Sequence, residues 1–196
     1  MSFEIASRHL EDVVVLIPQA HHDERGLFME AYRQDSFEQL GLPNNFVQDN
    51  QSVSRKGVIR GLHFQWDRPM GKCMRVTNGT AFLVAVDIRT GSPTLGNWVG
   101  LEVSAENMKQ VWAPAGFARG FCAMTDNVVV QYKCTAIYNH SAESAVRWDD
   151  PDIGIEWPLS NALLSPKDRE AKTLKEWLQS PHSQHLSYSP AISGRL

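Results

Sequence analysis

Met74-Arg75-Val76-Thr77-Asn78-Gly79-Thr80-Ala81-Phe82 is the stretch on which the fold reading turns. Apolar and β-branched residues flank an Asn-Gly pair, which suits the two positive-φ positions of a type I′ turn. The stretch therefore predicts a tight β-hairpin. Working outward, similar short runs occupy 13–17, 28–32, 57–65, 72–76, 80–88, 98–104, 110–113, 121–125 and 128–138. They follow one another closely and are joined by Gly, Pro, Asn and Asp. That is the pattern of an all-β sandwich or barrel.

Helices are few. Asp35-Ser36-Phe37-Glu38 reads as a capping box, with Gly41 as the stop of one short helix. A second helix is expected from Ser165 as N-cap and Pro166 as its first residue, with Leu174, Trp177 and Leu178 as its apolar stripe. Residues 1–180 read as one domain. Residues 181–196 are polar and rich in Ser, His and Pro, and read as a tail or a strap over the surface.

The composition supports this outline. With 196 residues, 42% of them hydrophobic, the chain is long enough for one unstapled core. Lys and Arg total 19 against 22 Asp and Glu, a net charge of −3, so a dedicated nucleic-acid partner is not expected. Cys73, Cys122 and Cys134 form no CxxC pair and read as free thiols in a reducing compartment. No basic segment followed by an apolar core opens the chain, and no apolar run approaches a membrane span. The expectation is a cytoplasmic protein without a membrane partner.

The densest polar stretch is Gln48-Asp49-Asn50-Gln51-Ser52, followed by Arg60-Gly61-Leu62-His63-Phe64-Gln65. Gln48 and Asn50 share a face in a strand. Strict alternation would put Arg60 and His63 on opposite faces. A bulge at Gly61 would turn both to one side. Such a row of donors implies either a ligand cavity or a polar edge facing water. His63 becomes a competent base if a buried carboxylate accepts one of its ring N–H groups. Asp168 could be that carboxylate, or could complete a capping box with Ser165. Tyr132 and Tyr138 are six apart, so continuous alternation would set both on one face with Cys134 and Ala136. They read as cavity-wall aromatics, one of them able to act as a general acid, or as plain core residues. The seven histidines contain no His-x-His pair, and no metal is expected. Nothing resembles a serine-hydrolase elbow, a P-loop or a dinucleotide fingerprint.

These residues resemble a known family, the dTDP-4-dehydrorhamnose 3,5-epimerases of the cupin superfamily. The resemblance runs from about Val14 to Asp168. It is carried by 23–30 (Asp-Glu-Arg-Gly-Leu-Phe-Met-Glu), Gln48-Asp49-Asn50, 57–65 (Gly-Val-Ile-Arg-Gly-Leu-His-Phe-Gln) and Val86-Asp87-Ile88-Arg89. Ser92-Pro93-Thr94-Leu95-Gly96, 115–121 (Ala-Gly-Phe-Ala-Arg-Gly-Phe), Tyr132-Lys133-Cys134-Thr135 and Leu164-Ser165-Pro166-Lys167-Asp168 continue it.

The resemblance implies a cupin-type jelly-roll β-sandwich that works as a homodimer without metal or cofactor. Its substrate would be a nucleotide-linked 4-keto-6-deoxy sugar, with dTDP the default. It assigns His63 as the base, Asp168 as its partner, Tyr132 as the acid on the opposite face and Lys72 as the stabiliser of the enolate. It places Arg25, Phe28, Glu30, Gln48, Asn50 and Arg60 on the nucleotide or sugar, and Tyr138 at the base. The chemistry suits these types. C3 and C5 are both α to the C4 carbonyl, so deprotonation loads negative charge on O4, and inversion needs a proton from the other face. Arginines would meet the diphosphate. The chain departs from the pattern in a shorter loop between His63 and Lys72, in Met70 where Gln is usual, and in Arg119 where His is usual. Arg119 could bind a phosphate or carbonyl oxygen, or pair with an acid. These departures leave open a mono-epimerase, a ketoisomerase or a silent sugar-nucleotide binder.

Overall fold

The computed structural model describes residues 2–189. The strands are β1 (Phe3–His9), β2 (Val13–Pro18), β3 (Ala20–Asp23), β4 (Gly26–Met29), β5 (Gln48–Ser54), β6 (Ile59–Gln65) and β7 (Lys72–Asn78). They continue with β8 (Thr80–Asp87), β9 (Trp98–Ser104), β10 (Gln110–Ala113), β11 (Phe117–Ala123), β12 (Val128–Cys134) and β13 (Glu143–Ala145). A six-stranded sheet runs β1-β2-β10-β7-β12-β5, a five-stranded sheet runs β13-β6-β11-β8-β9, and β3 and β4 form a separate ribbon. All the named pairings are antiparallel, as in a jelly-roll sandwich.

The hairpin expected at Asn78-Gly79 is not a hairpin. β7 pairs with β10 and β12, and β8 pairs with β11 and β9, so the Asn-Gly turn carries the chain from one layer to the other. Gly79 takes φ +75°, and a Cβ there would meet Thr125 Oγ1 at 2.4 Å. The inward faces decide the outcome. Met74 and Val76 of β7, and Ala81, Leu83 and Ala85 of β8, all enter the central cluster between the sheets with Phe117 and Phe121. The two strands stack across the core instead of pairing side by side, which buries both apolar faces.

Each sheet also has a covered outer face. On the five-stranded sheet, Leu62, Phe64, Val84, Val86 and Ala118 pack under Ile153, Leu174, Trp177 and Leu186. On the six-stranded sheet, Val14, Leu16, Cys73 and Trp112 pack under Phe37 and Leu42. β11 is buried along its whole length because it is a central strand covered on both faces.

Several local expectations change. α1 (Gln34–Gln39) has Arg33 as its N-cap residue and no side-chain cap. Asp35 instead accepts from Arg33 at 2.7 and 2.9 Å, so the expected box does not form. The single helix expected after Ser165 is two, α2 (Pro166–Arg169) and α3 (Leu174–Leu178). Ser165 and Pro166 open the first as expected, while Thr173 and Glu176 make a reciprocal capping box that starts the second. The run expected at 121–125 begins earlier, at Phe117, and the one expected to end at Tyr138 stops at Cys134. β1, β3, β5 and β13 were not among the apolar runs. In β1 and β5 outward polar residues interrupt the signal. The described part of the polar C-terminal stretch forms a 3₁₀ turn at Pro181–Leu186, buries Leu186 and bridges Thr90 through Ser187. Residues 190–196 lie outside the described residues.

The Asp87 and Ser92-Pro93-Thr94 motifs are structural. Asp87 is fully buried and accepts from the Arg89 amide and Nε at 2.9 Å, Arg89 Nη2 at 2.8 Å, Ser92 Oγ at 2.5 Å and Thr94 Oγ1 at 2.7 Å. Arg89 also binds Asp12 at 2.6 Å and lies between the Phe117 and Tyr188 rings. Burial would raise the Asp87 carboxyl, but these donors hold it below its ordinary value. Asp87→Ala should cost about 3–5 kcal/mol, because it leaves a buried guanidinium short of its main partner. Urea unfolding checks this, and a loss under about 1 kcal/mol would sink it. Because the folded carboxyl is lowered, its contribution is full above the usual range near ~4 and fades as pH falls through the lowered value.

Candidate active site

β6 builds the centre of the site. Against β11, His63 faces Arg119 and Arg60 faces Phe121, so three steps on β6 match two on β11. The extra residue is the expected bulge, and it brings Arg60 and His63 to one groove shared with Glu143, Lys167 and Asp168. Gly61 has φ +126°, and a Cβ there would lie 2.6 Å from Gly120 Cα and 2.8 Å from the Arg119 carbonyl. Only glycine lets the two backbones approach this closely.

His63 Nε2 lies 2.5 Å from Asp168 Oδ1, and Asp168 is buried. Both readings of Asp168 had a part of the answer. The helix cap is made by Ser165 Oγ on the Asp168 backbone N–H, at 3.1 Å. This leaves the carboxylate free for the imidazole. Burial works to raise that carboxyl, but the His63 ring, with Ser165 and the Gly61 amide, holds it below its ordinary value. An ionised Asp168 accepts from Nε2–H, so Nδ1 carries the lone pair that can take a proton.

Lys72 opens β7, with its Nζ 4.9 Å from the centre of the Tyr132 ring. Burial and the nearby Arg119 charge bring its pKa down to about 8. Burial raises the Tyr132 phenol, so it stays protonated at neutral pH. Asn50 faces Tyr132 and Gln48 faces Cys134 across the β5–β12 pair. Gln48 donates to Asn50 at 3.0 Å and accepts the Tyr138 amide at 2.8 Å. Arg60 is aimed by Ser54 Oγ at 3.0 Å and the Val53 carbonyl at 3.3 Å.

Tyr138 lies beyond the end of β12, so alternation does not place it beside Tyr132. Its hydroxyl donates to Glu143 at 2.7 Å, and Lys167 binds the same carboxylate. Glu143 lines the groove with Arg60 and His63, and its charge also reaches Lys72 and Tyr132. Neither Glu143 nor Lys167 was singled out in the sequence. Lys167 lies within the Leu-Ser-Pro-Lys-Asp motif, but Glu143 has no local signal. Arg119 is buried and donates to the Ala113 and Pro114 carbonyls at 3.1 Å, so of its alternatives the acid pair does not form among the described residues.

Arg25, Phe28 and Glu30 are not brought to the dyad within one chain. Arg25 pairs with Asp23 at 2.5 Å, Glu30 approaches Arg33 at 3.5 Å, and Phe28 is 70% exposed on the β3–β4 ribbon. Among the described residues, no three of His, Cys, Asp and Glu converge as a metal-binding group, and no helix is long and apolar enough to cross a membrane.

A carboxylate-held imidazole, a desolvated ammonium and a protonated phenol, set in a cupin-like β-sandwich, suit an isomerase that moves protons on carbon. Comparison makes this particular. The family model for dTDP-4-dehydrorhamnose 3,5-epimerase matches residues 7–176, and the chain belongs to this family. It is 46% identical over 177 residues to the dTDP-4-dehydrorhamnose 3,5-epimerase of Methanothermobacter thermautotrophicus, covering 89% of this chain and 96% of that one. Against the Escherichia coli enzyme of the same name it is 46% identical over 173 residues, covering 87% and 94%. A crystal structure of the Legionella pneumophila dTDP-6-deoxy-D-glucose-3,5-epimerase, in complex with dTDP-4-keto-L-rhamnose, superposes with a TM-score of 0.90 at 41% identity. It covers 96% of this chain and 100% of that one.

Proposed function

We propose that the protein converts dTDP-4-dehydro-6-deoxyglucose to dTDP-4-dehydrorhamnose by inverting C3 and C5, in deoxysugar and rhamnose biosynthesis. The observation that carries this reading is the His63–Asp168 pair at 2.5 Å, with the Lys72 ammonium over the Tyr132 ring as the second group of the reading. His63 removes the proton α to the C4 carbonyl, with Asp168 fixing the tautomer and stabilising the imidazolium. Lys72 meets the charge that develops on O4. Tyr132 returns a proton to the opposite face. Arg60 and Lys167 offer cations to the diphosphate, and Gln48, Asn50 and Tyr138 complete the wall.

The exposed ribbon supports a homodimer. Arg25, Phe28 and Glu30 fit a nucleotide by type, yet lie in surface pockets apart from their own dyad. A second copy would bring them to a site. Three buried free thiols fit a reducing, cytoplasmic setting.

Incubation with the sugar nucleotide in D₂O tests the reading. Deuterium at both C3 and C5 is expected, with rhamno-configured product by NMR. Binding without exchange would overturn it in favour of a silent binder, and a moved carbonyl in favour of a ketoisomerase. Exchange at one carbon would indicate a mono-epimerase. That second reading draws on a Streptomyces niveus relative named dTDP-4-dehydrorhamnose 3-epimerase, 39% identical over 170 residues.

A further inference from the structure

Among the described residues, Arg119 is a buried cation with no ion pair. It is 4% exposed, and its Nε has no hydrogen-bond partner there. Its Nη1 is tied to the Ala113 and Pro114 carbonyls. These bonds fix where the charge sits. Ala113 lies directly opposite Lys72 in the β10–β7 register, and Arg119 lies directly opposite His63 in the β11–β6 register. The guanidinium therefore spans from the strand next to the base to the strand next to the ammonium. An unneutralised charge here is costly unless something is gained from its field.

Lys72 is the group placed to feel it. Cys134 of β12 and the uncharged Ala113 of β10 lie opposite it, the Tyr132 ring lies under its ammonium, and the charges that reach it are those of Arg119 from β11 and Glu143 from β13. Arg119 is the one fixed cation in that set.

We propose that Arg119, anchored between the strand of the base and the strand of the ammonium, is a positioning residue that makes Lys72 the proton donor to the substrate carbonyl oxygen as His63 takes a proton from the adjacent carbon. This rests on the enolising reading above. The C–H electron pair becomes the new C=C bond, and the carbonyl π pair takes the Nζ proton to give an enol O–H. Lys72 is left neutral and His63 cationic. On the return, Tyr132 protonates carbon from the other face and the enol proton goes back to Lys72. Tyr132 and His63 then re-equilibrate with solvent. A lysine near 8 is better matched to this exchange at neutral pH than one at its usual value.

The test is a ¹³C NMR titration of the reductively methylated full-length protein, with the Lys72 resonance assigned by its loss in Lys72→Arg. Arg119→Gln should raise the Lys72 midpoint by about one unit. The alkaline limb of kcat/KM for deuterium wash-in should rise with it. Should that variant not fold, judged by its amide spectrum, Arg119→His is read instead, because its imidazole is neutral near pH 8. An unchanged Lys72 midpoint overturns the proposal, and so does a raised midpoint with an unmoved alkaline limb. If the unaltered protein shows no exchange, the enolising reading falls and the donor step with it, whereas the NMR titration still reports the coupling by itself.

Discussion

Deuterium entry into C3 and C5 falls by about 10³–10⁴-fold in His63→Ala, near the upper range for loss of a general base. The other groups of the groove are poor substitutes: Arg55, Arg60 and Lys167 are cations, Glu143 is already bound by Lys167 and Tyr138, and Asp168 is buried behind the imidazole. Affinity for the nucleotide should change little, since the imidazole is used on Asp168 and on carbon. The loss should therefore appear in kcat with KM within about threefold. Asp168→Asn should cost about 10²–10⁴-fold by a different route. A carboxamide can present its NH₂ to Nε2, which would favour the tautomer with its proton on Nδ1 and its lone pair turned away from carbon. Because Asp168 is held below its ordinary value, the pair keeps its negative charge down through that value and loses it only as pH falls further. Exchange in His63→Ala within tenfold of the unaltered protein would remove His63 from the mechanism.

The sequence revealed most where a local pattern has a local cause. Short apolar runs bounded by turn residues located the main strands, because most of them bury at least one face between or over the sheets. The bulge at Gly61 was legible because two polar residues three apart, with glycine between, have few other ways to share a side. Partner choice was not legible in the same way. Asn78-Gly79 encodes a reversal, but whether the flanking strands pair or stack depends on which neighbours bury Met74 and Leu83, and those lie far along the chain. Asp168 shows the same limit at the site. Its position marks a cap, and only the fold reveals that Ser165 uses the amide while His63 uses the carboxylate. Glu143 was silent because the groove it shares with His63 and Lys167 is assembled from segments far apart in the chain, and its nearby partner Tyr138 reaches it through a turn rather than a strand pattern. The resemblance supplied Lys72 and Tyr132. The cross-strand geometry supplies the reason they sit together, the ammonium lying over the phenol ring.

Tyr132→Phe should separate exchange from inversion. The ring remains, so the contact with Lys72 and the filling of the cavity are kept, and only the hydroxyl is lost. His63 can still take the proton and return a solvent-derived one to the same face. Deuterium should thus continue to enter the substrate, while inverted product falls by about 10²–10⁴-fold. The label would then sit in starting material of unchanged configuration, which NMR distinguishes from product. Burial raises the phenol of the unaltered protein, so Tyr132 holds its proton across neutral pH and can only begin to lose it above its usual range near ~10. The acid role should accordingly impose no acidic limb of its own. Inverted product within tenfold of the unaltered rate would show that the second proton comes from elsewhere in the cavity. Equal collapse of exchange and inversion would show instead that the hydroxyl acts in the first step.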